Sequence, residues 1–205
     1  MMRAWQKSGF KNLPQDWEIV RLGDLGEIKT GNTPSTSIKE YWNGGDILWV
    51  TPSDIGSRRD IFESGRYLTQ SGLKKARFLP KGSLLVTCIA SIGKNAILGR
   101  DGSCNQQINA ILPSNKANMI FLYYLVGFYA SYIASFAGKS VNTILNKTSF
   151  SNLTFSMPPL EEQEKIAEIL SVADEEIELL VQKHQALETQ KRALMQRLLT
   201  GKVRV

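Results

Sequence analysis

The chain has 205 residues, 42% of them hydrophobic and 21% charged, which is the make-up of a globular protein long enough to bury a real core; there is no internal repeat and no low-complexity tract. Its net charge of +6 is unevenly placed: residues 1–155 hold 18 basic and 10 acidic side chains, a balance of +8, whereas residues 156–205 hold 7 and 9, a balance of −2. A polyanion-binding front domain followed by a protein-binding tail fits that imbalance, and so does charge that serves only solubility.

The polar start Met1–Gln15 excludes a secretory signal at that position, and residues 1–16 read as an irregular lead-in. Trp17–Leu22 is a first strand, and Leu22–Ile28 a short helix closed by Gly31. Gly31–Ser37 contains only turn formers and makes an exposed loop. Ile47–Thr51 is a strand too apolar to be wet on both faces, and Thr51–Asp60 is a second exposed loop with adjacent arginines, Arg58 and Arg59. Thr69 caps a short helix, Gln70–Ala76, whose basic cluster is Lys74, Lys75 and Arg77. Ser83–Ser91 is the strongest strand of the chain. Ile92-Gly93-Lys94 turns it into Asn95–Leu98 as a hairpin, Asp101–Ser103 makes a further turn, and Asn105-Gln106-Gln107 leads into the strand Ile108–Leu112.

Between Lys116 and Lys139 there is no charge, a length that reaches the membrane-spanning threshold. Tyr123, Tyr124, Tyr129 and Tyr132 stand in the middle of this run rather than at its ends, which favours a buried core helix over a span. Polar residues 138–143 follow, then a helical turn within Leu145–Ser151 and a last strand, Asn152–Ser156. Strands and helices without a βαβ rhythm predict an α+β fold: a mixed globular domain over residues 1–155, then a long coiled-coil-forming helix over residues 156–205.

From Pro158-Pro159 to Thr200 there is no further proline and no glycine. Ile166, Ala173, Leu180, Leu187 and Leu194 form one seven-residue row, and Leu170, Ile177, His184, Lys191 and Leu198 a second row four residues on. Alternating gaps of four and three over about five heptads are a coiled-coil seam that needs a partner helix. Glu161, Glu162, Glu164, Glu168, Asp174, Glu175, Glu176 and Glu178 fill the first half of the helix; Lys183, Lys191, Arg192 and Arg197 fill most of the second. That order suits the helix dipole, and it sets acid against base when two copies lie antiparallel. His184 and Lys191 interrupt the seam, either fixing its register or marking where it leaves the partner.

Catalytic residues are not evident. The sole histidine, His184, is on the seam and cannot activate a nucleophile in the front domain. Cys88 and Cys104 have neither CxxC spacing nor a histidine nearby and read as reduced thiols of a cytoplasmic protein; no metal-ligand cluster, Walker loop or GxGxxG is present, so no metal and no cofactor is expected. Ser156-Met157-Pro158-Pro159-Leu160 has the double proline of the amino-methyltransferase motif, but Met157 and Leu160 replace its polar acceptor and its aromatic; the prolines read instead as strand stop and helix start. Binding chemistry is better supplied. Arg58, Arg59, Lys74, Lys75, Lys94 and Lys139 offer cations for phosphates or guanine edges, and Asn105, Gln106, Gln107 and Asn142 offer amides for adenine.

The order Leu13-Pro14-x-x-Trp17, Gly31-x-Thr33-Pro34, Trp49-Val50-Thr51 with Asp54-Ile55, Ala90-Ser91-Ile92-Gly93-Lys94, Asn105-Gln106-Gln107 and Pro158-Pro159-Leu160-x-x-Gln163-x-x-Ile166 resembles the specificity (S) subunit of type I restriction-modification enzymes, as does the tail Leu198–Arg204. The resemblance implies a target recognition domain reading one half of a split double-stranded DNA site. It also implies a helix that spaces two such domains and docks methylation (M) subunits, with S-adenosylmethionine chemistry on the M subunit and cleavage on a restriction (R) subunit. The familiar subunit has two recognition domains and two helices; this chain has one of each, and its methionine start and family-like end favour a half-subunit over a fragment. The expectation is then an antiparallel homodimer reading a palindrome. At ~1.5 Å per residue some forty residues span roughly 60 Å, under two turns of duplex at ~34 Å each. A self-sufficient DNA-modifying or DNA-cleaving enzyme and a coiled-coil nucleic-acid adaptor are the alternatives.

Overall fold

A computed structural model describes residues 14–56, 58–137 and 144–204. It comprises two compact units, one up to Glu164 and one from Lys165.

The first unit is α+β. Strand β1 (Glu18–Arg21) pairs antiparallel with β10 (Thr154–Met157), so the start and the end of the unit close on each other. A five-stranded sheet has the order β2 (Ile28–Thr30), β9 (Ile108–Ile111), β6 (Leu84–Thr87), β7 (Asn95–Leu98), β4 (Asp60–Ile61), and a three-stranded sheet the order β5 (Tyr67–Leu68), β3 (Ile47–Val50), β8 (Gly102–Cys104). Pairing is antiparallel except for β3 with β8 and β4 with β7. Strands β6 and β7 form the expected hairpin, Leu84 opposite Ile97 and Val86 opposite Asn95. Residues of both sheets, among them Leu48, Val50, Leu85, Leu98, Cys104 and Ile108, form one apolar core. Strands β6, β7 and β9 are buried along their whole length, which suits the apolar run Leu84–Val86 of β6; β7 and β9 each carry one buried asparagine, Asn95 and Asn109.

Five α-helices among the described residues complete the unit: α1 (Leu22–Leu25), α2 (Gln70–Leu73), α3 (Met119–Phe128), α4 (Ala130–Ser135) and, ahead of β10, α5 (Lys147–Ser151). Side chains cap three of their N-termini. Thr69 accepts from Gly72 N at 3.1 Å, Asn118 from Ile120 N and Phe121 N at 3.0 Å each, and Asn146 from Ser149 N at 2.8 Å.

The structure differs from the sequence-based expectation at several places: the short strands β4 and β5 were not expected, and the strand expected over Ser83–Ser91 ends at Thr87. Helix α1 stops at Leu25, because Ile28–Thr30 is drawn into β2 against Ile111–Asn109. Of the turn expected at Asp101–Ser103, Gly102 and Ser103 belong instead to a buried strand, Gly102–Cys104, lying parallel to Leu48–Val50. The uncharged tyrosine-rich run is two helices broken at Tyr129, with Phe121, Leu122, Val126, Tyr132 and Ile133 buried. No helix among the described residues is long and apolar enough to cross a membrane.

The second unit is the body of α6 (Leu160–Leu199), a single helix of 40 residues. Pro159 accepts at its carbonyl from Glu162 N and Gln163 N at 3.0 Å, as expected for a proline that opens a helix. The first turn, to Glu164, belongs to the first unit: Gln163 is buried, donating to Pro158 O at 2.9 Å and accepting from Asn118 N at 3.0 Å. The first unit therefore extends past residue 155. Beyond that turn the seam faces solvent in the single chain, with Leu180 58%, Leu187 54% and Leu194 49% exposed.

Candidate nucleic-acid interface

The topology gathers the polar loops at one end of the sheets. Segment Gly31–Ser37 leaves the carboxyl end of β2, Thr51–Arg59 that of β3, and Cys88–Lys94 that of β6; Asn105–Gln107 joins the carboxyl end of β8 to the start of β9. The registers place these ends side by side, since Thr30 is opposite Asn109, Thr87 opposite Ile108, and Val50 beside Cys104.

The loops are tied to one another chiefly through backbone. Gly31 N donates to Ile108 O at 3.0 Å, Asn32 N to Cys104 O at 3.0 Å, Asn105 N to Val50 O at 2.9 Å and Cys88 N to Gln107 O at 2.8 Å. A Cβ on Gly31 would sit 2.2 Å from the carbonyl oxygen of Asn105 and 2.3 Å from that of Cys104, so only glycine allows this approach. The carboxamide of Asn32 donates to Lys75 O at 2.8 Å and accepts from Arg77 N at 2.7 Å, fastening the basic segment after α2 to the loop. Thr33 Oγ1 donates to Gln106 Oε1 at 2.6 Å. Two indoles complete the clamp: Trp49 Nε1 donates to Asn32 O and Trp42 Nε1 to Ser35 O, each at 3.1 Å.

The loop after β3 is held by Asp54. Its carboxylate accepts from Thr51 N and Thr51 Oγ1 at 2.8 Å, closing a short 3-10 turn (Pro52–Asp54), and from Gly65 N at 2.9 Å. The Lys94 ammonium reaches within 3.9 Å of where a side chain on Gly56 would begin, so the β6–β7 turn leans against this loop. That turn carries the one non-glycine residue with positive φ among the described residues, Ala90 at 59°, and Gly93 at 92° packs on Ala130.

Charge at this end divides into engaged and free cations. Arg59 Nε bonds Asp60 Oδ2 at 2.9 Å; burial pulls its guanidinium down, and Asp60 and Tyr124 more than offset this, holding it above the ordinary value. Arg77 Nη1 donates to the carbonyls of Thr30 and Gly31. By contrast, Arg58, Lys74, Lys75 and Lys94 are exposed and make no ion pair among the described residues.

Among the sequence-derived candidates the structure thus brings together Arg58, Arg59, Lys74, Lys75, Lys94, Asn105, Gln106 and Gln107. Asn105 is buried, its Nδ2 on Gln107 Oε1 at 2.9 Å and its Oδ1 accepting from Gln107 N at 3.0 Å, so it shapes its own turn. Gln106 remains exposed. Lys139 and Asn142 lie outside the described residues. Sequence reasoning passed over Arg66, whose guanidinium carbon lies 3.8 Å from the Trp42 ring centre and 4.9 Å from that of Trp49. A lone arginine in a turn gives no pattern, and its aromatic partners are 24 and 17 residues away.

The described residues hold no group of three or more potential metal ligands. Both cysteines are buried, and burial pushes the Cys88 thiol up to about 11 and the Cys104 thiol to about 12. A thiol so raised is a poor nucleophile.

The type I restriction modification DNA specificity domain matches residues 14–189. The specificity subunit of the type I restriction enzyme MjaIX of Methanocaldococcus jannaschii is 35% identical over 190 residues, covering 90% of this chain and 44% of that protein. The EcoR124I/EcoR124II specificity subunit of Escherichia coli is 29% identical over 178 residues, covering 82% and 43%. The chain therefore spans less than half the length of these relatives. In fold it is similar to the HsdS subunit of Thermoanaerobacter tengcongensis, with a TM-score of 0.68 at 19% identity over 92% of this chain and 46% of that one. A chain from a structure describing complex assembly and conformational transition of the type I R-M system gives 0.72 at 21% identity over 91% of this chain and 45% of that one. The chain belongs to the type I restriction-modification DNA specificity domain family.

Proposed function

We propose that the chain is the DNA-recognition component of a type I restriction-modification complex and is itself non-catalytic. The first unit reads one half of a split duplex site with the loop-bearing end of its sheets, and α6 pairs antiparallel with a second copy so that two first units read a palindrome. Methylation subunits, and a restriction subunit where one is present, supply the chemistry, in the cytoplasm. The observation that carries the DNA reading is the convergence of Arg58, Lys74, Lys75 and Lys94, exposed and without an ion pair among the described residues, at the end of the sheets where the loops are tied to one another by backbone hydrogen bonds. Phosphate binding needs free cations, and base reading needs loops that do not have to be ordered on contact.

Pairing is supported by the seam. Leu170, Ile177, Leu180, Leu187, Leu194 and Leu198 are all exposed large apolar side chains on one helix, and a row of that size is covered in a working protein. Antiparallel order follows from charge, since a parallel pair would set Glu161–Glu178 against its own copy and an antiparallel pair sets it against Lys183–Arg197. Two experiments test the reading together. Sedimentation of the purified chain should give a dimer at micromolar concentration, and a clean monomer would sink the pairing. Methylation mapping in cells that carry the chain with its methylation subunit should return a two-part palindromic motif; an asymmetric or continuous motif would overturn the split-site model.

A further inference from the structure

Arg66 stands apart from the other cations of the loop-bearing end. It lies between β4 and β5, and its backbone is held from several sides: Arg66 O accepts from Trp49 N at 3.2 Å and from Ser64 Oγ at 2.6 Å, and the preceding Gly65 N bonds Asp54. Its guanidinium lies over the Trp42 ring, with Trp49 as a second wall; the two rings are 5.0 Å apart at 87°, so the group sits in a corner of two indoles. Those indoles are fixed in turn, because each gives its N–H to a carbonyl of the Gly31–Ser37 loop. Yet the residue is exposed, and its guanidinium has no ion pair and no hydrogen-bond acceptor among the described residues. A planar fork of donors is thus oriented before any ligand arrives and left without a partner.

A backbone phosphate does not need such a device. It is tetrahedral, accepts from many directions, and is served by the flexible ammonium groups of Lys74, Lys75 and Lys94 nearby. A fixed plane matters when the acceptors are themselves coplanar, as O6 and N7 of guanine are in the major groove. Resting on the DNA-recognition reading above, we infer that Arg66 is a specificity-determining residue that gives two N–H bonds to a guanine edge, with Trp42 and Trp49 as its positioning platform.

Selection of duplexes from a randomised library by the full chain tests this, using the wild type, Arg66→Lys, Arg66→Met and Trp42→Leu. The wild type should return a motif containing an invariant guanine. Arg66→Lys keeps the charge and loses the fork, so that guanine should lose ~10-fold or more of its preference while the other positions persist. Trp42→Leu, which frees the fork without touching charge, should blur the same position. Melting of Arg66→Met separates a structural role: a lowered melting temperature with an unchanged motif overturns the inference. So does an Arg66→Lys variant that keeps its guanine, which is the behaviour of a phosphate contact. A wild type that returns no motif while binding all duplexes equally overturns the DNA-recognition reading and this inference with it; a wild-type motif that survives every variant overturns this inference alone.

Discussion

Leucine behaves in opposite ways in the two units. In β6 the side chains of Leu84 and Leu85 are fully buried, whereas Leu180 and Leu187 of α6 keep more than half their surface in water. Composition does not separate them; the periodicity does. A period of two or a continuous run buries residues between elements of the same unit, while a seam repeating every three and four residues on one long helix stays exposed among the described residues. The first unit thus builds its own core, whereas the leucine row of the second stays exposed.

The largest effect should come from breaking the exposed half. Leu180→Asp with Leu187→Asp places charge in any helix pair, and at about 1.5–3 kcal/mol for each leucine buried dimer affinity should fall by ~10³-fold or more. Split-site binding should disappear with it in sedimentation and gel-shift measurements, while the thermal melting of the first unit stays put. DNA recognition unchanged by this pair would show that α6 is no spacer.

Breaking the first unit needs a different kind of change. Gly31→Ala pushes a methyl into the carbonyls of Cys104 and Asn105, and should cost about 3 kcal/mol of stability in denaturant titration with no effect on dimer affinity. Asn32→Ala removes both side-chain bonds to the Lys75–Arg77 backbone; these lie partly in solvent, so a smaller loss of about 1 kcal/mol is expected. If both variants melt like the wild type, the loop clamp is not part of the stable framework.

Milder still, Lys74→Gln with Lys75→Gln should leave fold and dimer intact. The slope of log affinity against log salt should shrink by roughly two units if both ammonium groups meet phosphates, equally for all sequences. The smallest effect is chemical. With Cys88 pushed up to about 11 and Cys104 to about 12, the folded chain at pH 8 should resist alkylation that the unfolded chain undergoes at once. The same raised values mean that the folded state binds its thiol protons more tightly than the unfolded chain does. Stability should therefore begin to fall as pH rises past about 8.5, the ordinary thiol value.

Sequence and structure agree where one physical signal dominates. The β6–β7 hairpin, the caps Thr69 and Pro159, and α6 over its whole length were legible because turn chemistry, capping and the apolar beat each act locally. Gly102–Cys104 was not, because Asp-Gly-Ser is turn chemistry in isolation and only parallel pairing with β3 makes it a strand. Helix α1 was read too long for a related reason, since Ile28 is claimed by Ile111, which is 83 residues away. At the site, single side chains announced themselves by type alone. Arg58, Lys74, Lys75 and Lys94 are exposed, with no ion pair among the described residues, but the engagement of Arg59, Arg77 and Asn105 depends on partners that only the fold supplies.

The clamp on the Gly31–Ser37 loop has a consequence for how such a domain can diversify. Gly31 and Asn32 bond the backbones of Cys104, Ile108, Lys75 and Arg77, and the two indoles bond the backbones of Asn32 and Ser35. Main-chain groups are the same whatever residue carries them. Side chains at positions 35 and 75 can therefore be exchanged one at a time without unfastening the frame; on the DNA reading proposed above, a new preference is sampled by substitution while the loop keeps its shape. A frame whose acceptors are mostly main-chain carbonyls lets surface side chains change while the loop geometry stays constant.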